Sequence, residues 1–216
     1  MQPLTQIQRE PLNWSGDFRF EGMIRIFVPK DGSCFFHALA SAYLKPYIIG
    51  KIGDKHLNRS RFIRQLRSDL AKKLGSRVNP LDPDSPTHYE TLSNGELPKI
   101  AETLPEYSLE NMQRELDSVS WISNIYNEFI SDELNFDIYI LDGEKQDVYM
   151  TGTEDRLLYK NRHSIVILYL PGHYELVGVV GNESRSQSRS DYVSTVFEPT
   201  SPFITAIRDR MNQLRE

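Results

Sequence analysis

Cysteine is nearly missing from this chain: 216 residues contain one, Cys34. A single thiol excludes an internal disulfide framework and any cysteine-rich zinc site, and it fits a reducing compartment. Long apolar runs are missing as well, so no segment is expected to span a bilayer. The opening MQPLTQIQRE has no basic stretch leading into an apolar run, so no secretory leader is expected. Neither end carries a lipidation signal. No HExxH, CxxC or calcium-loop pattern occurs, and no phosphate- or dinucleotide-binding glycine motif, so no metal and no cofactor is expected. Nor is there a large excess of one charge. A net charge of −5 suits a soluble surface and argues against nonspecific nucleic-acid binding. The expectation is a cytoplasmic monomer with no nucleic-acid or membrane partner.

What is present divides into three stretches. Residues 1–22 read as a lead-in, 23–180 as one domain, and 181–216 as a polar linker followed by an amphipathic helix. Within the domain, MIRIFV (23–28) alternates weakly, as a short strand does. PKDG is a turn. From Ser33 the apolar positions Phe36, Leu39, Ala40 and Tyr43 recur at helical spacing, predicting a helix over 33–44 that ends near Pro46. Ile63, Leu66, Leu70 and Leu74 predict a second helix over 58–74, closed by Gly75. The proline- and aspartate-rich stretch after it is irregular, with a short helical piece at 87–93. Leu109, Met112, Leu116 and Val119 predict a helix over 108–119. Trp121, Ile122, Ile125, Phe129, Ile130 and Leu134 predict another, capped by Ser120.

FDIYIL (136–141) switches to strand character, and a short strand is expected at 148–150. Two apolar runs, 164–170 and 173–180, flank Pro171-Gly172 as a hairpin, the first run nearly all apolar and so central. Phe203, Ile204, Ile207, Met211 and Leu214 mark the final helix, expected to dock on the domain because so short a face gains little alone. The class is α+β, a small central β-sheet sandwiched between helices.

The chemistry turns on Cys34. It sits where a turn feeds a helix, and free N–H groups at a helix start favour a thiolate and can receive charge on a carbonyl oxygen. Gly32 lets the backbone bend close. The bland alternative is a small buried hydrophobe. A nucleophilic cysteine needs a histidine base. His37 lies one helical turn after Cys34 on the same helix surface, but a base usually comes from a separate element. His56 and His88 lie in polar, irregular surroundings, and His163 stands at a strand boundary. His173 opens the last strand, and Glu175 shares its face at spacing two, placed to orient the imidazole. The basic residues Lys55, Arg59, Arg61, Arg64, Arg67, Lys72, Lys73 and Arg77 read as a solvated helix face or as a surface for a polar or acidic partner.

These residues carry a resemblance. DGSCFFHALA resembles the nucleophile motif of the ovarian-tumour (OTU) cysteine proteases, GHYELV their histidine motif, and SWISNIYNEFISDELNFDIYIL the tryptophan-containing helix that leads into a central strand. The resemblance covers residues 24–180 and implies a papain-like fold and a protease that removes ubiquitin from proteins and from polyubiquitin chains. By carry-over, Cys34 is the nucleophile and His173 the general base. Asp31 and the backbone of Gly32, Ser33 and Cys34 shape the oxyanion hole. The third member of the triad, usually aspartate or asparagine, falls on Glu175, a departure that leaves Asp31 or another polar group as alternatives. Tyr174 would line the channel for ubiquitin's terminal glycines, and Trp121 reads as a core anchor. The helix at 58–74 and acidic residues within 82–106 would face ubiquitin. The minimal domain is similar to enzymes of large DNA viruses, which implies a site of action in the host cytoplasm. A ubiquitin-binding module that has lost turnover, a protease of ubiquitin-like modifiers, and a structural α+β protein remain the alternatives.

Overall fold

A computed structural model describes residues 8–152, 154–181 and 192–216. Residues 1–7 of the lead-in and 182–191 of the polar linker lie outside the described residues; Tyr192–Ser194, read as linker, form a strand because they pair with the edge of β8. The chain runs β1 (Arg9–Pro11), β2 (Met23–Ile26), α1 (Cys34–Tyr43), α2 (Lys45–Ile49), β3 (Lys51–Ile52), β4 (Lys55–His56), α3 (Arg59–Leu74), α4 (His88–Thr91), α5 (Leu97–Thr103), α6 (Leu109–Asp117) and α7 (Asn127–Leu134). It continues through β5 (Asp137–Asp142), β6 (Asp147–Val148), α8 (Asp155–Leu158), β7 (Ser164–Leu170), β8 (His173–Gly181), β9 (Tyr192–Ser194) and α9 (Pro202–Gln213).

The main sheet has the order β1-β2-β8-β7-β5-β6, with β9 also pairing β8. Only β5 and β7 run parallel among its named pairs. That pair is fully covered, as parallel strands require. The period-two alternation of strands divides the core cleanly. Ile138, Ile140, Ile165, Ile167, Tyr174 and Leu176 face the helices α1, α3, α6 and α7. Tyr139, Leu141, Val166, Leu168 and Val177 face the other way, onto Phe18 and α9. The sheet is therefore sandwiched, and α+β is the architecture. Helix α9 docks as expected, burying Phe203, Ile204, Ile207 and Met211, each side chain contributing roughly 1.5–3 kcal/mol of transfer free energy. Leu214 stays partly outside.

The hairpin β7–β8 turns through Pro171-Gly172, with Leu170 opposite His173. Gly172 has φ +69°, a left-handed conformation that a side chain would strain. Three local expectations need correction. Helix α1 ends at Tyr43, near Pro46 as expected, but a further short helix was not expected there: Pro46 sits in the first turn of α2, where its missing N–H costs nothing. The short strand expected at 148–150 is displaced to Asp147–Val148. The helix expected from Ser120 does not start there. Residues 118–123 are non-helical, a 3-10 turn spans Asn124–Tyr126, and α7 follows. The serines compete with the helix: Ser118 Oγ donates to Glu115 O and accepts from Ser120 N–H.

Candidate active site

Cys34 is the first residue of α1 and is fully buried. The helix is held by Phe36, Leu39 and Ala40, all buried. Strand β8 crosses its N-terminus. The Tyr174 N–H donates to Cys34 Sγ at 3.3 Å, so the strand that carries His173 is fastened to the thiol through the very next residue. The imidazole is buried, and its Nε2 lies 3.5 Å from Glu175 Oε1. That nitrogen has no hydrogen-bond partner among the described residues. With Nε2 turned to the carboxylate, Nδ1 is the ring nitrogen left for proton exchange with a thiol. Glu175 is 0% exposed and shares the face of His173, as spacing two requires. Its oxygens, however, accept two hydrogen bonds from Arg25, at 2.7 and 2.9 Å. Arg25 carries no signal in the sequence; only the register of β2 against β8 brings it there.

The turn before Cys34 is built by Asp31. Asp31 Oδ1 accepts from the Ser33 N–H at 2.8 Å, and Oδ2 accepts from His37 Nε2 at 3.1 Å. His37 Nδ1 in turn meets the Tyr47 hydroxyl. His37 and Asp31 are thus engaged with each other, and neither bonds His173. Of the three amides expected for an oxyanion hole, Ser33 N–H is taken by Asp31, and Cys34 N–H reaches back to Asp31 O at 3.2 Å. Gly32 N–H has no partner among the described residues. Gly32 earns its place by close approach: a Cβ there would lie 1.8 Å from Val119 O.

Electrostatics correct one expectation. A helix start was expected to lower the Cys34 pKa, yet burial pushes it up, with Asp31 adding to the rise. N–H groups of Tyr174 and Phe35 and the Trp121 side chain oppose the shift without overcoming it. Burial also pushes His173 down, and Lys30 and Arg25 add to this, while Glu175 and Asp31 pull the other way. Both shifts favour the neutral thiol and neutral imidazole over a thiolate–imidazolium pair.

Two residues were placed differently by sequence reasoning. Trp121 is not a core anchor. It is 38% exposed and stacks on Tyr174 at 4.9 Å with an interplanar angle of 8°. Its helical spacing misled because the segment is not a helix. Arg67 is not on a solvated face: it is 1% exposed, and its guanidinium donates to Gly32 O, Ser33 Oγ, Glu115 O, Leu116 O and Ser120 O. Its position three after Arg64 and four after Ile63 put it beside the apolar stripe, the one available signal.

No protein-family model and no curated protein matches this chain. Among solved structures it is similar to an ovarian-tumour (OTU) domain in complex with ubiquitin, at 18% identity and a TM-score of 0.53, the match covering 89% of this chain and 84% of that one. The OTU domain of OTUD1 matches at 19% identity over 72% of this chain and 85% of that one, with a TM-score of 0.42. The viral OTU domain protease from Taggert virus matches at 16% identity over 80% and 97%, with a TM-score of 0.39. The first of these matches, together with the sandwiched sheet, establishes that this chain has the fold of the OTU domain.

Proposed function

We propose that this chain is a cysteine-type deubiquitinase that hydrolyses the isopeptide bond after the terminal glycine of ubiquitin. The observation that carries the reading is the Tyr174 N–H to Cys34 Sγ hydrogen bond, which brings the strand of His173 onto the nucleophile turn. Ubiquitin as the partner is supported by the OTU domain of the same fold, which was solved with ubiquitin bound. In the proposed reaction, Cys34 passes its proton to His173 as Sγ attacks the glycine carbonyl. The oxyanion meets backbone N–H groups of the turn, Gly32 N–H foremost. His173 then protonates the departing lysine amine, leaving a thioester. Water hydrolyses it with His173 as base, which restores the thiol. Tyr174 and Trp121 form an aromatic wall beside the thiol, suited to residues without side chains. The cytoplasm is the proposed site of action, as for an enzyme that reverses host ubiquitin signals.

The test is a ubiquitin probe with a C-terminal electrophile, read by mass spectrometry beside Cys34→Ala. An adduct mapped to Cys34 and absent from the variant is expected. A parallel probe built on a ubiquitin-like modifier sets the substrate range. One observation favours a second reading, a ubiquitin-binding module without turnover: Glu175 is committed to Arg25, and His173 Nε2 lacks a hydrogen bond. No adduct, with ubiquitin still bound in a titration, would establish that reading instead.

A further inference from the structure

We propose that Arg67 is a positioning residue that locks the Trp121 segment against the Cys34 turn and so keeps the thiol covered. A guanidinium has five N–H donors in a rigid planar fork. All five have partners here. Nη1 donates to Gly32 O at 3.1 Å and Ser33 Oγ at 2.8 Å, both in the nucleophile turn. Nε donates to Leu116 O at 2.8 Å, and Nη2 to Glu115 O at 2.9 Å and Ser120 O at 2.8 Å. Glu115 and Leu116 are in the last turn of α6, where Glu115 O also accepts from Ser118 N–H and Oγ, and Ser120 directly precedes Trp121. The Phe36 ring backs the cation, with Cζ 4.9 Å from its centroid.

The hydrogen-bond acceptors are neutral carbonyls and one hydroxyl, so the fork sets geometry, while burial disfavours the charge and the carboxylates of Glu115, Asp31 and Asp117 support it through space. It joins two segments that meet at the thiol. They also touch directly, since Gly32 leaves no room for a Cβ against Val119 O. Beyond Ser120 the chain delivers Trp121 onto Tyr174, whose N–H holds Cys34 Sγ. Release of the clamp should therefore loosen Trp121 and uncover the thiol. The inference stands on these contacts and does not depend on ubiquitin as substrate.

The test uses the full chain with Trp14→Phe, which leaves Trp121 as the sole indole. Lysine keeps the charge and loses the fork, so Arg67→Lys is the informative variant. It should melt cooperatively, show a red-shifted Trp121 emission, and react with iodoacetamide about tenfold faster at Cys34, because a buried thiol reacts through local opening. Leu74→Ala, in the same core, controls for lost stability and should leave emission and alkylation near the parent's. A folded Arg67→Lys with parental emission and rate overturns the proposal, as does equal acceleration in Leu74→Ala. If Arg67→Lys does not fold, the parent decides. Its Arg67 Nη protons should be resolved and slow to exchange by NMR at neutral pH, and a single averaged signal overturns the clamp.

Discussion

Arg25 and Glu175 form a two-pronged ion pair between neighbouring strands, while His173 Nε2 stands 3.5 Å from the same carboxylate. Bidentate arginine fixes a carboxylate in plane and position. Glu175 thus acts on His173 by its field more than by a hydrogen bond. The longer glutamate side chain fits this role because its oxygens reach across to β2.

Two substitutions separate these roles. Glu175→Gln keeps the shape and removes the charge. If His173 drives the proposed reaction, the rate should fall by well under the about 10⁴-fold lost when a directly bonded orienting carboxylate is neutralised. Arg25→Met should instead cost stability, because it strands a buried carboxylate, with a loss near the lower end of about 3–5 kcal/mol since Arg25 keeps some contact with water. Urea unfolding and single-turnover kinetics measure the two effects. A Glu175→Gln rate near zero would mean that the carboxylate bonds the imidazole during turnover.

Cys34→Ala should abolish adduct formation and turnover while costing only about 1 kcal/mol, the typical effect of a small core change. Cys34 is fully buried, so a structural cysteine and a nucleophile differ only in reactivity. Retained turnover in a folded Cys34→Ala protein would end the protease reading.

The elements that were legible in the sequence were those with strong periodicity: α1, α3, the β7–β8 hairpin and α9. Helices α3 and α9 bury one face of their own pattern, while α1 and the hairpin are buried nearly all round, so apolar spacing and tertiary burial agree. Residues 118–123 were misread because Trp121 and Ile122 continue a helical count that serine hydrogen bonds interrupt. Arg25 left no trace as a site residue, and Arg67 only its place beside the apolar stripe of α3. A charged side chain announces burial chiefly through partners distant in sequence, here 150 residues away for Arg25 with Glu175 and 34 for Arg67 with Ser33.

Gly32→Ala tests the close approach at the nucleophile turn. The added Cβ would stand 1.8 Å from a backbone oxygen that cannot rotate away. The two segments must separate, and overpacking of this kind costs about 1–3 kcal/mol or more. The melting midpoint should fall, and alkylation of Cys34 should accelerate as Trp121 is carried off Tyr174. An unchanged midpoint would mean that the 119–120 backbone yields freely.

The reactive pair predicts its own pH dependence. Burial raises the thiol pKa and lowers the imidazole pKa, so iodoacetamide should react faster as pH rises through the thiol's titration, with no acid-side plateau from a thiolate–imidazolium pair. Stability should follow a separate rule. His37, His88 and His173 are all pushed below their ordinary pKa, first of all by burial. Between the folded and unfolded pKa values the unfolded chain binds more protons, so stability rises with pH across that window. Their contribution is therefore complete above the unfolded value of about 6.5 and is lost as pH falls below it. His88→Gln lies outside the site and should soften this acid-side loss in urea titrations between pH 7 and 5, without moving the alkylation profile. A profile that is flat over that range would show that these rings charge as readily in the folded protein as in water.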